Sequence, residues 1–298
     1  MNWILYIENI KRAKFLFYSL VGCLLIGSFF ACKKDDDSDS YSPVDIIIVV
    51  DNSGDMKAEI QGLTENVYIS LAKELEDKKI DYKIILIGKY GMIDNAEVCI
   101  ESPLSGIANC STPPFQPVNT VQFFHYSVEV SSTNSLCKIL ETLQQPDEYS
   151  LALNGWISLL RSNSSKSFIE LSSDGVDCFS GIGYNDLNTI AGGTIVAQAF
   201  NAALINLSPD HFGTSSNPNY SFYSIIGIPD KDANDPGIPY SDTDAMISEE
   251  CVGAVNPGTG YQGISRLTGG LRFSACEAAN YELIFNELAQ SIIDKASD

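Results

Sequence analysis

The sequence predicts an α/β fold, a mostly parallel six-stranded sheet with helices on both faces. Three observations carry that prediction. Asp45–Val50, "DIIIVV", is an apolar run without polar alternation, as a strand buried on both faces requires. Stretches with apolar residues at helical spacing separate most such runs, and that alternation builds a parallel sheet with crossover helices. Two of the runs end in an aspartate followed by a turn, at Asp51 and Asp174. That edge is where open parallel sheets bind ligands.

The elements follow in order. Met56–Lys78 carries Ile60, Leu63, Val67, Leu71 and Leu75 at helical spacing, and "DYKIILIG" (81–88) is the second strand. Residues 91–121 combine Pro, Gly, Ser and two cysteines and read as a long loop. "VQFFHYSVEV" (121–130) is a third strand whose poor alternation suits an edge. Helical patterns lie at 134–144 and 150–161. "SFIELSSDG" (167–175) is the fourth strand, and a helix at 194–207 follows a glycine-rich loop. "YSFYSIIGIP" (220–229) is the fifth strand, and an acidic loop fills 230–260. "GISRLTGG" reads as a short helix closed by glycine, "LRFSAC" (271–276) as the last strand, and 280–296 as the closing helix.

With 298 residues, 45% hydrophobic and 19% charged, the chain is globular and long enough for one large core. No second core or internal repeat is visible. The net charge of −20 and the lack of a basic patch exclude nucleic acid as a partner and favour divalent cations and basic proteins.

Residues 1–31 read as a secretory signal: Lys11, Arg12 and Lys14, then an uncharged run from Phe15 to Ala31. The run ends at Ala31-Cys32 and resembles a bacterial lipobox, although Phe29 and Phe30 stand where a Leu and a small residue are usual. The resemblance implies lipidation of Cys32 and a lipid-anchored protein of the cell envelope. Lysines and aspartates after the cysteine resemble an outer-membrane export signal. Residues 32–43 are read as an acidic tether and 44–298 as the domain. Six further cysteines in an exported chain favour disulfides. Cys251 and Cys276 flank the last strand and are expected to pair; Cys99 and Cys110 share one loop and form the second pair. Elimination leaves Cys137 with Cys178.

Asp51, Ser53 and Asp55 alternate after the first strand, and Ser172, Ser173 and Asp174 end the fourth. If those strands are neighbours, their oxygen side chains converge. A hard-oxygen set without His or Cys suits Mg²⁺ or Ca²⁺.

"DIIIVVDNSGDM" followed by "FIELSSDG" resembles the von Willebrand factor A (vWA) domain. That family holds a metal at Asp-x-Ser-x-Ser after the first strand, a Thr from a loop before the third helix, and an Asp after the fourth strand. The resemblance spans residues 44–297 in element order, and "GYQGISRLTGGLRFSACE" resembles the end of many bacterial versions. It implies a Rossmann-like sheet with an antiparallel third strand, and protein binding through a divalent cation. Asp51, Ser53 and Asp174 match the motif; Asp55 stands where its second serine belongs. The matching threonine is missing from "QQPDEYSLAL", whose oxygen side chains near that register are Asp147, Glu148 and Ser150; Glu148 is carried forward as the candidate ligand. Three carboxylates at Asp51, Asp55 and Asp174 would outweigh the charge of a divalent ion and lean towards Ca²⁺. The alternative for Asp55 is an N-cap on the helix from Met56. An antiparallel third strand would also hold Cys137 far from Cys178, beyond the ~7 Å that a disulfide spans between Cα atoms.

"PDKDANDPG" begins like a calcium loop, but Asp235 replaces its turn glycine and Ser241 its bidentate glutamate, so an ordinary acidic loop is expected. His125 and His211 lack metal-ligand spacing and are read as structural. GxSxG, HExxH and GxxxxGK[ST] are absent. The sequence is therefore read as a binding protein and not an enzyme. A metal-assisted hydrolase centred on Asp51, Asp55 and Asp174 and a structural envelope protein with an inactive site are the alternatives.

Overall fold

In a computed structural model the described residues are 41–178 and 183–297; the signal segment, Cys32 and the tether as far as residue 40 lie outside them. Six strands, β1 (Val44–Val50), β2 (Tyr82–Gly88), β3 (Phe123–Ser127), β4 (Ser165–Leu171), β5 (Tyr220–Ile226) and β6 (Arg272–Ser274), form one sheet in the order β3-β2-β1-β4-β5-β6. Every neighbouring pair is parallel. All seven residues of β1 are buried. Ile46, Ile48 and Val50 face one core, Ile47 and Val49 the other, as the two-residue period of a strand dictates.

Five helices cover the two faces. α1 runs from Lys57–Asn66 through a π-helical stretch, Val67–Ala72, to Lys73–Asp77, and packs with α5 (Tyr281–Ser297) on the first core. α2 (Ser135–Thr142), α3 (Ile190–Leu207) and α4 (Thr259–Thr268) close the second. The connection from β1 therefore leaves to one face and that from β4 to the other. The carboxyl edge opens between these two strands, the switch point of a Rossmann-like sheet.

β3 pairs with β2 in parallel, Ile84 opposite Phe123 and Gly88 opposite Ser127. This corrects the antiparallel third strand that the family resemblance implied. It also removes the objection to the third disulfide. Cys137 opens α2 at the carboxyl edge and bonds Cys178 with Cα atoms 6.2 Å apart; Cys99–Cys110 and Cys251–Cys276 form as expected, at 5.7 and 6.3 Å.

Two helical expectations shift. At 150–161 only a 3₁₀ turn forms, Trp156–Leu159, because Ser150 (φ 58°) and Gly155 (φ 80°) take left-handed conformations. α3 begins at Ile190, four residues early, where the Thr189 hydroxyl accepts the Gly192 N–H at 3.0 Å. The glycines that suggested a loop serve the helix crossing: a Cβ on Gly193 would lie 2.3 Å from the Thr259 carbonyl of α4. Order also begins before β1, since Ser42 N–H donates to Ala296 O at 2.9 Å and Tyr41 packs on the first core.

Buried charges fix both ends of the sheet. At the amino edge Asp45 accepts Arg161 Nε (2.8 Å), Arg161 N–H (2.7 Å) and Ser164 Oγ (2.6 Å). On β6 the fully buried Arg272 gathers the acidic loop, donating to Ser241 O (2.6 Å), Asp244 O (2.9 Å), Ala245 O (3.1 Å) and Gln262 Oε1 (3.2 Å). Burial lowers its guanidinium pKa to about 10, which leaves it charged at neutral pH.

Removing that guanidinium strands buried carbonyls. Arg272→Ala is expected to cost about 3 kcal/mol or more in chemical denaturation and to open residues 230–258 to limited proteolysis. Non-reducing peptide mapping of the native protein is expected to return all three disulfides, Cys137–Cys178 included.

Candidate metal centre at the carboxyl edge

β1 and β4 bring Asp51 and Ser172 side by side. Asp51 N–H donates to Leu171 O at 3.0 Å, continuing the ladder one residue past β1. Ser172 Oγ then donates to Asp51 Oδ2 at 3.1 Å, and Ser53 N–H to Asp51 Oδ1 at 2.8 Å. Asp51 is completely buried, and none of the ion pairs among the described residues includes it. Burial pushes its carboxyl up to about 6; the Ser53 and Ser172 bonds oppose the rise and the Asp55 charge adds to it.

The Ser53 hydroxyl is buried beside this carboxylate and helps to hold its charge, though outside the geometry of a full hydrogen bond. A buried hydroxyl whose hydrogen bond is incomplete, next to a carboxylate without a counter-charge, fits a hard cation. Asp55 is exposed, caps nothing, and accepts from Ser173 Oγ at 3.4 Å; α1 begins without any side-chain cap. Asp174 is buried, and its Oδ1 takes Gly175 N–H (2.7 Å) and the Asn256 amide. Glu148 lies elsewhere, at the end of β3, where it accepts Ser127 Oγ at 2.9 Å. Two strand spacings, about 10 Å, separate β3 from β1, so the fold does not bring Glu148 to Asp51.

Other residues at this edge are not apparent from the motif. Glu59 follows Asp55 by one helical turn; burial raises its carboxyl, as do the charges of Asp55 and Asp51. The signal was the spacing of acids at 51, 55 and 59. Thr133, on the loop from β3 to α2, lines a cleft of about 390 Å³ with Asp174, Asp177, Asn188 and Asn256. Asn52 ties three loops together, donating to Ala96 O (2.8 Å) and accepting Lys89 N–H (2.7 Å), while its own N–H reaches Val130 O (2.8 Å). Beneath Asp51, Glu170 is fully buried on the same face of β4 with no partner for either oxygen. Burial lifts its carboxyl well above the usual range.

Among the described residues no group of three or more His, Cys, Asp or Glu side chains is gathered for holding a metal ion. The donor set is instead one of few carboxylates and several hydroxyls. The histidines take no part. His125 is buried in β3 with Nε2 3.0 Å from Gly88 O, and burial lowers its pKa to about 4; His211 bonds Ser208. In the acidic loop Asp232 closes its own turn with the Asn234 N–H at 2.9 Å.

The Asp51 shift has a definite sign. A carboxyl with a raised folded pKa favours the protonated native state, so stability falls as pH rises through the window from 3.8 to about 6. In EDTA, Asp51→Asn keeps the Ser53 N–H bond on its side-chain oxygen, turns its amide N–H to the Ser172 hydroxyl, which then accepts instead of donating, and removes that cost. It is expected to be more stable than wild type by on the order of 3 kcal/mol at neutral pH, the gap closing below pH 4. Melting curves across pH 3.5–8 check it. Comparison with protein-family models, with curated proteins and with solved structures finds no match to this chain.

Proposed function

We propose that this chain is a lipid-anchored cell-envelope protein of vWA type that binds another protein at the carboxyl edge of its sheet through a divalent cation. The observation that carries the reading is the buried Asp51 carboxylate, held by two donors and no counter-charge, beside the Ser53 hydroxyl, whose hydrogen bond is incomplete, at the switch point. Asp51, Ser53 and Asp174 are the proposed ligands, with Asp55 linked to them through Ser173. Thr133 supports the reading as the hydroxyl that the motif lacks at 144–153, since it lines the cleft beside Asp174. Mg²⁺ and Ca²⁺ are the candidate ions, and a bound ion would offer an open position to an acidic group of the partner. The Ala31-Cys32 junction supports the lipid anchor and an outer-membrane location. Binding is favoured over hydrolysis because neither histidine stands near Asp51 as a general base.

Calorimetric titration of the purified full chain with Mg²⁺, Ca²⁺ and Mn²⁺ tests the metal. Stoichiometric binding is expected, abolished in Asp51→Ala and weakened roughly tenfold in Asp55→Ser. No binding by wild type at millimolar ion would overturn the proposal. For the anchor, intact-mass analysis is expected to find acyl groups on Cys32, and Cys32→Ser is expected to accumulate the unprocessed precursor.

A further inference from the structure

A second cleft opens over the ends of β2 and β3, about 460 Å³ in volume, lined by Tyr90, Tyr149, Phe115, Lys89, Glu97 and Glu148. The Tyr90 and Tyr149 rings stand 5.9 Å apart at 86°, and Phe115 meets Tyr149 at 5.9 Å and 83°. Tyr90 is buried and its hydroxyl donates to Pro114 O at 3.1 Å, which fixes the strand of loop carrying Phe115. Phe115 itself is 89% exposed and forms the rim. Cys99–Cys110 braces the same loop.

The charges in this cleft do not cancel. Lys89 is taken by Glu97, at 3.3 Å. Glu148 receives only the Ser127 hydroxyl and forms no ion pair among the described residues. Burial raises the Tyr149 hydroxyl pKa first, then the charges of Glu148 and Glu97, with Lys89 opposing them.

We infer that this cleft receives a basic side chain, lysine or arginine, from a protein partner. Aromatic faces attract cations through their quadrupole, and an adjacent unpaired carboxylate adds to that attraction. Rings at right angles wall a pocket and offer no flat platform for a neutral sugar. A rim ring so exposed suits a contact that the partner completes, whereas small-molecule sites bury most of their ligand. The net charge of −20 steers basic partners towards the surface. The inference is independent of the divalent site.

The test is ring-carbon NMR of the full chain, labelled in Tyr and Phe, titrated in EDTA with an amidated Gly-Lys-Lys-Gly peptide. EDTA silences the metal centre, so its failure cannot mimic this one. Saturable shifts of Tyr90, Tyr149 and Phe115 are expected. Phe115→Ala and Glu148→Gln should each weaken binding about fivefold, and the lysine-acetylated peptide should not bind. Phe115→Ala leaves the protein's charge unchanged, which separates the cleft from general attraction to an acidic surface. Absence of shifts at millimolar peptide, equal binding of the acetylated peptide, wild-type affinity in either variant, or a neutral oligosaccharide moving the rings where the peptide does not would overturn the inference.

Discussion

The burial of Asp51 sets the terms for the carboxyl edge. β1 lies between β2 and β4 with both faces covered, so the residue that ends it is buried as well. Placing a carboxylate there opposes its ionisation, and the protein answers with one backbone donor and one hydroxyl and no cation. The surroundings deepen the strain on the charge. Asp55 and Glu59 follow at four-residue intervals, and the buried Glu170 lies beneath with its own carboxyl raised. A site arranged this way is poorer in stability than it need be, which is what the proposed cation would offset.

The same strand supplies its own control. Asp45, near the amino end of β1, is as completely buried as Asp51. It is met by the Arg161 guanidinium, a backbone N–H and the Ser164 hydroxyl, a fully compensated structural ion pair. Burial alone therefore does not force the fold to leave an aspartate unpaired. At one edge the chain provides a counter-ion and at the other it withholds one.

The apolar runs and their separation by helical patterns sufficed to read the layered sheet, because strands buried on both faces leave a continuous hydrophobic signature. Asp51, Ser53 and Asp174 were legible for the same reason: each follows immediately on such a run. What escaped depended on direction. Apolar content does not say whether Phe123–Ser127 runs with or against β2, and the antiparallel sense that the resemblance implied is not the one the strand takes. That implied sense was the one objection to Cys137–Cys178, the pair left by elimination, and the parallel strand removes it. Asn256 was hidden for another reason. It reaches Asp174 because the far end of the acidic loop folds back over β4, where Val255 and Asn256 N–H both reach Ser173 O. Such tertiary gathering leaves no local pattern.

The disulfides bear on the same edge. Cys99–Cys110 braces the loop after β2, Cys137–Cys178 joins the first turn of α2 to the loop after Asp174, and Cys251–Cys276 holds the segment that delivers Asn256. Each crosslink closes a connection at the carboxyl side, and none is placed at the amino edge, where Asp45 and Arg161 do the fastening. Long loops are the segments with most entropy to lose on meeting a ligand or partner. Covalent bracing removes much of that loss in advance. The distribution of cysteines therefore points to the same edge as the unpaired carboxylates, through a physical cause unrelated to charge.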